Sequence, residues 1–263
     1  MVDDRSTEQR TEVLRNRNIR AIRTFVGFCI SLFILAGVAI LLMPQVRSGE
    51  SPTRTKCHNN LKNIGIAIHN YYVKYGCFPP AYTVDGHGHR MHSWRVLILE
   101  FLDPDLYAKY NLKQPWNSPT NLTFAKTMKK DGPYRCPTEE PKDPSWTSYV
   151  MLVGPTAFSD GPHGRKPKEI IDGTSNTIEV IEMSPSGILW TSPYDLNVEE
   201  MSFKINDPER TSPRSCHGHG VAALFVDGGT EFINTSNTRK DEEHLKALVT
   251  INGGEDMSKF PSD

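Results

Sequence analysis

Nine histidines and five cysteines are the residues of this 263-residue chain with the widest chemical reach. Some of the histidines fall in two glycine-interleaved groups, His87, His89 and His92 after Asp85, and His217 with His219. Imidazoles at this spacing suit Zn²⁺ or Cu²⁺, and the i, i+2 step would put His87 and His89 on one face of a strand. Gly86, Gly88, Gly218 and Gly220 speak equally for turns, and neither group reproduces a helical template such as H-E-x-x-H. These five histidines are therefore weak metal candidates; solvent-facing loops, with His217 fixing its loop by hydrogen bonds and no bound metal or cofactor, are the expectation. His217 and Asp227 also suggest a base and its orienting carboxylate, with Ser215 or Cys216 as the adjacent nucleophiles. Asp227 precedes Gly228, however, where a turn carboxylate accepting backbone N–H groups is the simpler reading. With no nucleophile motif, no catalytic residue is assigned and no enzymatic activity is expected. The oxygen-rich run Asp172 to Thr177 lacks the alternation and terminal Glu of a calcium loop, so a capped turn is expected there.

The elements that must position these residues begin with an anchor. Thr24 to Met43 is an uncharged run, whereas mean hydropathy over the whole chain is -0.47. Twenty helical residues span about 30 Å, the thickness of a bilayer core, and this run is longer than the apolar core of most signal peptides. A retained single span is predicted. Arg15, Arg17, Arg20 and Arg23 crowd its N-terminal side and Arg47, Arg54 and Lys56 are spread after it, which orients the N-terminus to the cytoplasm. The boundaries read as a tail (1–23), a span (24–43), a linker (44–51) and an exported domain (52–263). Cys57, Cys77, Cys136 and Cys216 would then meet an oxidising compartment, and Cys29 lies within the span. The four allow three pairings, among which sequence does not choose, or they all remain thiols. Cys57 and Cys77, if at the two ends of one helix, would be about 30 Å apart and could not pair.

Past Gly49, Ser51 reads as an N-cap and Pro52 as a first helical residue. Leu61, Ile64, Ile68, Tyr71 and Tyr75 then recur at helical steps, predicting an amphipathic helix over about 52–75 that Gly76 and Phe78-Pro79-Pro80 end. Trp94 to Leu102 reads as a short helix. Strands are predicted over Tyr149–Val153, Ile178–Met183, Ile188–Trp190, Val221–Val226 and Thr230–Ile233, with Asp227-Gly228 as a tight primed hairpin turn and Leu245–Val249 as a closing helix. One helix followed by a sheet-rich part (76–263) gives an α+β fold with a mostly antiparallel sheet. Lys plus Arg number 30 against 31 Asp plus Glu, which leaves no field for nucleic acid and disfavours it as a partner. Tyr71, Tyr72, Tyr75, Tyr82, Trp94 and Trp116 are enough aromatics to line a ligand groove, but core packing accounts for them.

Taken together, several segments resemble the DUF1559 family of bacterial pilin-like proteins with a prepilin-type H-X9-DG motif. His217 stands nine residues before Asp227-Gly228. The other segments are Cys57 to Gly65 with His69-Asn70-Tyr71 and Phe78-Pro79-Pro80; Asp172-Gly173-Thr174-Ser175-Asn176-Thr177 leading to Glu182; and Trp190-Thr191 with Pro193 and Asp195-Leu196. The resemblance implies a pilin-like fold and a part in envelope, surface or type II secretion-like assembly, through the membrane and other envelope proteins. Pilin-type members carry a glutamate early in the apolar helix; here Gly27-Phe28 runs into Cys29-Ile30-Ser31-Leu32. A carboxylate in lipid is kept only for a purpose such as pairing with a neighbouring subunit, so its absence argues against processing and polymerisation. The expectation is a single-pass bacterial inner-membrane protein with a periplasmic or otherwise extracytoplasmic domain acting by interaction; the alternative is an extracytoplasmic solute- or metal-binding module.

Overall fold

The computed structural model describes residues 52–129, 132–137 and 142–260. The expected tail, span, linker and Ser51 cap lie outside these residues, and none of the described helices is long and apolar enough to cross a membrane. Helix α1 (Pro52–Tyr75) buries Cys57, Leu61, Ile64, Ala67 and Ile68, one stripe at three- and four-residue steps. The stripe leaves the core at its end, where Tyr75 is 49% exposed and its ring meets Tyr71 at 4.4 Å between centroids. Gly76, at φ +76°, donates its N–H to the Tyr72 carbonyl at 2.8 Å and stops the helix in the left-handed conformation that glycine tolerates.

A two-stranded ribbon, β1 (Tyr82–Val84) and β2 (Arg90–Ser93), follows, then short helical turns α2 (Trp94–Leu97), α3 (Leu99–Leu102), α4 (Pro104–Tyr107) and α5 (Pro119–Ala125). The main sheet is five-stranded, in the order β5–β3–β4–β6–β7, from β3 (Tyr149–Val153), β4 (Ile178–Glu182), β5 (Leu196–Asn197), β6 (Gly220–Phe225) and β7 (Thr230–Asn234). All its pairings are antiparallel except β3 with β5. The α+β class and mostly antiparallel sheet therefore hold.

Strand β6 is buried on both faces, and alternation sorts its residues. Ala222 and Leu224 join the core under Leu61, Ile64 and Ile68 of α1. Val221, Ala223 and Phe225 join the opposite core with Leu245, Leu248 and Val249 of α6 (Arg239–Val249). Gly65 lets α1 approach closely, because a Cβ there would lie 2.9 Å from Leu224 Cδ1.

Three local expectations are corrected. Ile188–Trp190 forms no strand, only an isolated bridge between Leu189 and Trp146; its apolar character serves packing, with Trp190 stacked on Tyr134 at 5.7 Å. The β6–β7 connection is no two-residue primed turn: Gly228 alone turns left-handed (φ +86°), its N–H bonding to the Phe225 carbonyl, and Gly229 closes a longer loop. The closing helix is longer than predicted because Thr238 caps it, accepting from the Asp241 N–H while the Asp241 carboxylate accepts from Thr238.

Candidate functional site

The predicted site residues go to separate places. Asp85 ties the turn between β1 and β2, its carboxylate accepting the N–H groups of His87 and His89 at 2.8 Å and meeting His89 Nδ1 at 3.0 Å. His87 and His89 are exposed, and the Asp85 carboxyl is held down to about 2, chiefly by the His89 N–H. His92 points inward, bonded to the Tyr110 hydroxyl at 3.1 Å and the Leu112 carbonyl at 3.0 Å; burial lowers its pKa. His219 is exposed, and its carbonyl accepts the Thr235 N–H. The aromatic set forms no common groove, since Trp94 is core and Trp116 packs on Tyr194.

His217 goes elsewhere. Its Nε2 lies 3.1 Å from Cys57 Sγ, 3.2 Å from Cys136 Sγ and 3.9 Å from Glu182 Oε1, and the two sulfurs are 3.1 Å apart. The ligand-type atoms of these four residues all fall within 4.8 Å of one another, the one such group among the described residues. The cluster is buried: Cys57, Cys136 and Glu182 are fully buried and the His217 side chain is 4% exposed. Cys216 Sγ stands at the rim, 3.8 Å from Cys136 Sγ, and Cys77 is outside the group. Cys57, Cys77, Cys136 and Cys216 are all thiols here.

Each member is delivered by a different piece of backbone. Cys57 is on the inner face of α1, and Asn60 one turn on donates to the Arg135 carbonyl at 2.8 Å, holding the helix against the Cys136 loop. The Cys136 N–H bonds to Ser148 Oγ at 2.8 Å, beside the start of β3. Glu182 ends β4 and pairs across to Tyr149, its Oε2 accepting the Ala222 N–H at 3.2 Å. His217 precedes β6, its backbone N–H bonded to Ser215 Oγ.

Burial sets the electrostatics. It pushes the Glu182 carboxyl up to about 7 against the Ala222 hydrogen bond, and Oε1 has no hydrogen-bond partner. The hydrogen bond with Cys216 lowers the Cys136 thiol, but Cys57, burial and the Glu182 charge outweigh it and carry it to about 12. Desolvation, followed by Arg54 and His58, lowers the pKa of His217.

The remaining motif residues are framework. Asp172 accepts the N–H groups of Gly253 at 2.6 Å and Gly254 at 2.9 Å, and Thr177 Oγ1 donates to the Gly173 and Thr250 carbonyls. Asp227 lies at the far end of β6 from His217 and accepts the Gly229 N–H, so the base–orienter pair does not form. Arg95 and Asp195, a pair that sequence reading missed, are buried at 2.7 Å. Only the Asp195-Leu196 segment hinted at it.

Fold and site together define the class: an α+β protein whose largely antiparallel sheet carries a helix on each face and a buried thiol–imidazole–carboxylate cluster. The chain belongs to the DUF1559 family, since the model described as a protein of unknown function (DUF1559) matches residues 53–200. That match includes Cys57, Cys136 and Glu182 and stops before His217. No curated protein and no solved structure matches the chain.

Proposed function

We propose that this chain is a membrane-anchored, pilin-like envelope protein that acts through protein contacts and not by catalysis. One observation carries the reading: a 24-residue helix laid across an antiparallel sheet begins soon after the apolar run Thr24–Met43. An apolar segment followed, after a short linker, by a helix that docks on such a sheet resembles the pilin layout, here without the glutamate in the apolar run that filament subunits carry and with Gly49 and Pro52 interrupting the stalk. The outer face of α1 leaves Ile66 (60% exposed) and Val73 (81% exposed) seven residues apart on one side, where a partner would touch them.

Fractionation of native cells tests the anchor. The full-length chain is expected in the inner-membrane fraction, resistant to carbonate extraction, with its head digested by protease added to spheroplasts. Mass spectrometry is expected to find the N-terminal segment intact. A soluble chain, or one trimmed ahead of the apolar run and recovered in sheared fibres, overturns the proposal.

A further inference from the structure

We infer that Cys57, Cys136, Glu182 and His217 form a zinc site. Three electron-rich atoms, the two sulfurs and His217 Nε2, stand 3.1–3.2 Å from one another with the Glu182 carboxylate 3.9 Å from the imidazole. Two sulfurs, one nitrogen and one oxygen are the donor set of a tetrahedral borderline-soft cation; Ca²⁺ and Mg²⁺ require oxygen cages. With Zn–S of about 2.3 Å and Zn–N of about 2.0 Å, tetrahedral ligand atoms lie about 3.3–3.8 Å apart. Spreading the two sulfurs and Nε2 by about half an ångström and drawing the Glu182 carboxylate, 3.9 Å from Nε2, inward by side-chain rotation reaches that geometry.

Glu182 is the second, independent pointer. Its side chain is fully buried, its Oε1 has no hydrogen-bond partner, and that oxygen faces the same spot. A carboxyl so placed either takes up a proton or faces a cation, and here three further ligand-type atoms converge on it. A Cys57–Cys136 disulfide would use the two sulfurs and leave Glu182 and His217 aimed at a neutral bond. On zinc binding both thiol protons, and any proton that the Glu182 carboxyl carries, leave to solvent, and two thiolates, one carboxylate and Zn²⁺ sum to one negative charge, beside which Arg54 acts on His217. Cys216 and Gly218, exposed in the loop that carries His217, supply the entry route.

The test uses full-length protein purified in detergent, both with and without reductant, and Zn²⁺ or Co²⁺ as the probe. Reduced protein is expected to hold one zinc per chain by elemental mass spectrometry, and the cobalt form to show thiolate-to-cobalt charge transfer with the d–d bands of a tetrahedral site. Cys57→Ser and Cys136→Ser should each lose charge-transfer intensity, Glu182→Gln should weaken zinc at least about 100-fold, and Cys216→Ser should keep the site. Should a variant fail to fold by near-ultraviolet circular dichroism, the wild type decides: Cys57 and Cys136 are expected to resist alkylation until a chelator is added. Folded, reduced protein without zinc overturns the inference, as does a Cys57–Cys136 disulfide in protein isolated without reductant or a cobalt spectrum unchanged by Cys57→Ser. Membrane anchorage is irrelevant to these readouts, so failure here leaves the envelope proposal standing.

Discussion

Replacing Asp195 by Asn should cost this fold heavily, because it breaks a fully buried ion pair. Asp195 and Arg95 are 2% and 0% exposed and 2.7 Å apart, and Asp195 Oδ1 also accepts the Met151 N–H at 2.8 Å and the Trp94 indole N–H at 3.1 Å. Arg95 in turn donates to the Trp190 carbonyl at 3.0 Å and the Tyr194 carbonyl at 2.8 Å, so one ion pair fastens α2 to the β3–β5 edge of the sheet. Asparagine keeps the shape but removes the charge, leaving a buried guanidinium without its counterion. Breaking one side of such a pair costs about 3–5 kcal/mol, against a total stability of about 5–15 kcal/mol. At about 2–4 °C per kcal/mol for a domain of this size, the midpoint should fall by about 10 °C. Calorimetry of the full-length chain, with exposed Asp160→Asn as control, reads this directly. A fall of under about 2 °C would show that the pair is replaceable and that the sheet edge is held by packing alone.

Two further outcomes follow from buried and capping groups elsewhere in the fold. Glu179 is fully buried with both carboxylate oxygens lacking partners, and desolvation, then Asp227, raises its pKa well above the ordinary value. The folded state thus keeps a proton that the unfolded chain releases, so stability falls as pH rises past the usual carboxylate range; urea titrations should give Glu179→Gln a shallower decline between about pH 5 and 8 than the wild type, and equal slopes would refute it. Thr238→Ala removes the cap of α6 and should cost about 1 kcal/mol in the same titration, with Arg239→Ala, exposed on the same turn, near zero.

Local physics was legible where it was strong. The three- and four-residue recurrence of Leu61, Ile64 and Ile68 between Pro52 and Gly76 marks α1 because burial and the stop signal agree. Branched runs mark β3, β4, β6 and β7 for the same reason. The β1–β2 ribbon was invisible because its strands are 3 and 4 residues long and its turn is a string of glycine and histidine. Strand β5 has only 2 residues and pairs in parallel, a contact no local pattern announces. The cluster was hidden more deeply: Cys57, Cys136, Glu182 and His217 come from α1, a loop, the end of one strand and the approach to another. No spacing rule connects them; the sheet register brings Glu182 to His217, and the packing of α1 with the Cys136 loop brings the two thiols to them.

That register accounts for the spacing of His217 from Asp227-Gly228. Strands β4 and β6 run antiparallel, pairing Ile181 with Ala223 and Ile178 with Phe225. One end of the pair therefore brings Glu182 to Ala222 and His217, and the other brings the Thr174–Thr177 turn to the β6–β7 turn. There the Val226 N–H bonds to the Thr177 carbonyl at 3.0 Å and the Asp227 N–H to that of Thr174 at 3.2 Å. The intervening residues are the length of β6 plus its flanks, so the two motif segments are halves of one structural device. Inserting one residue into β6 would exchange Ala222 and Leu224 with Val221 and Ala223 between the two cores. It would also carry His217 away from Glu182 while the turn stayed pinned, which makes strand length, as much as residue identity, the quantity that builds the cluster.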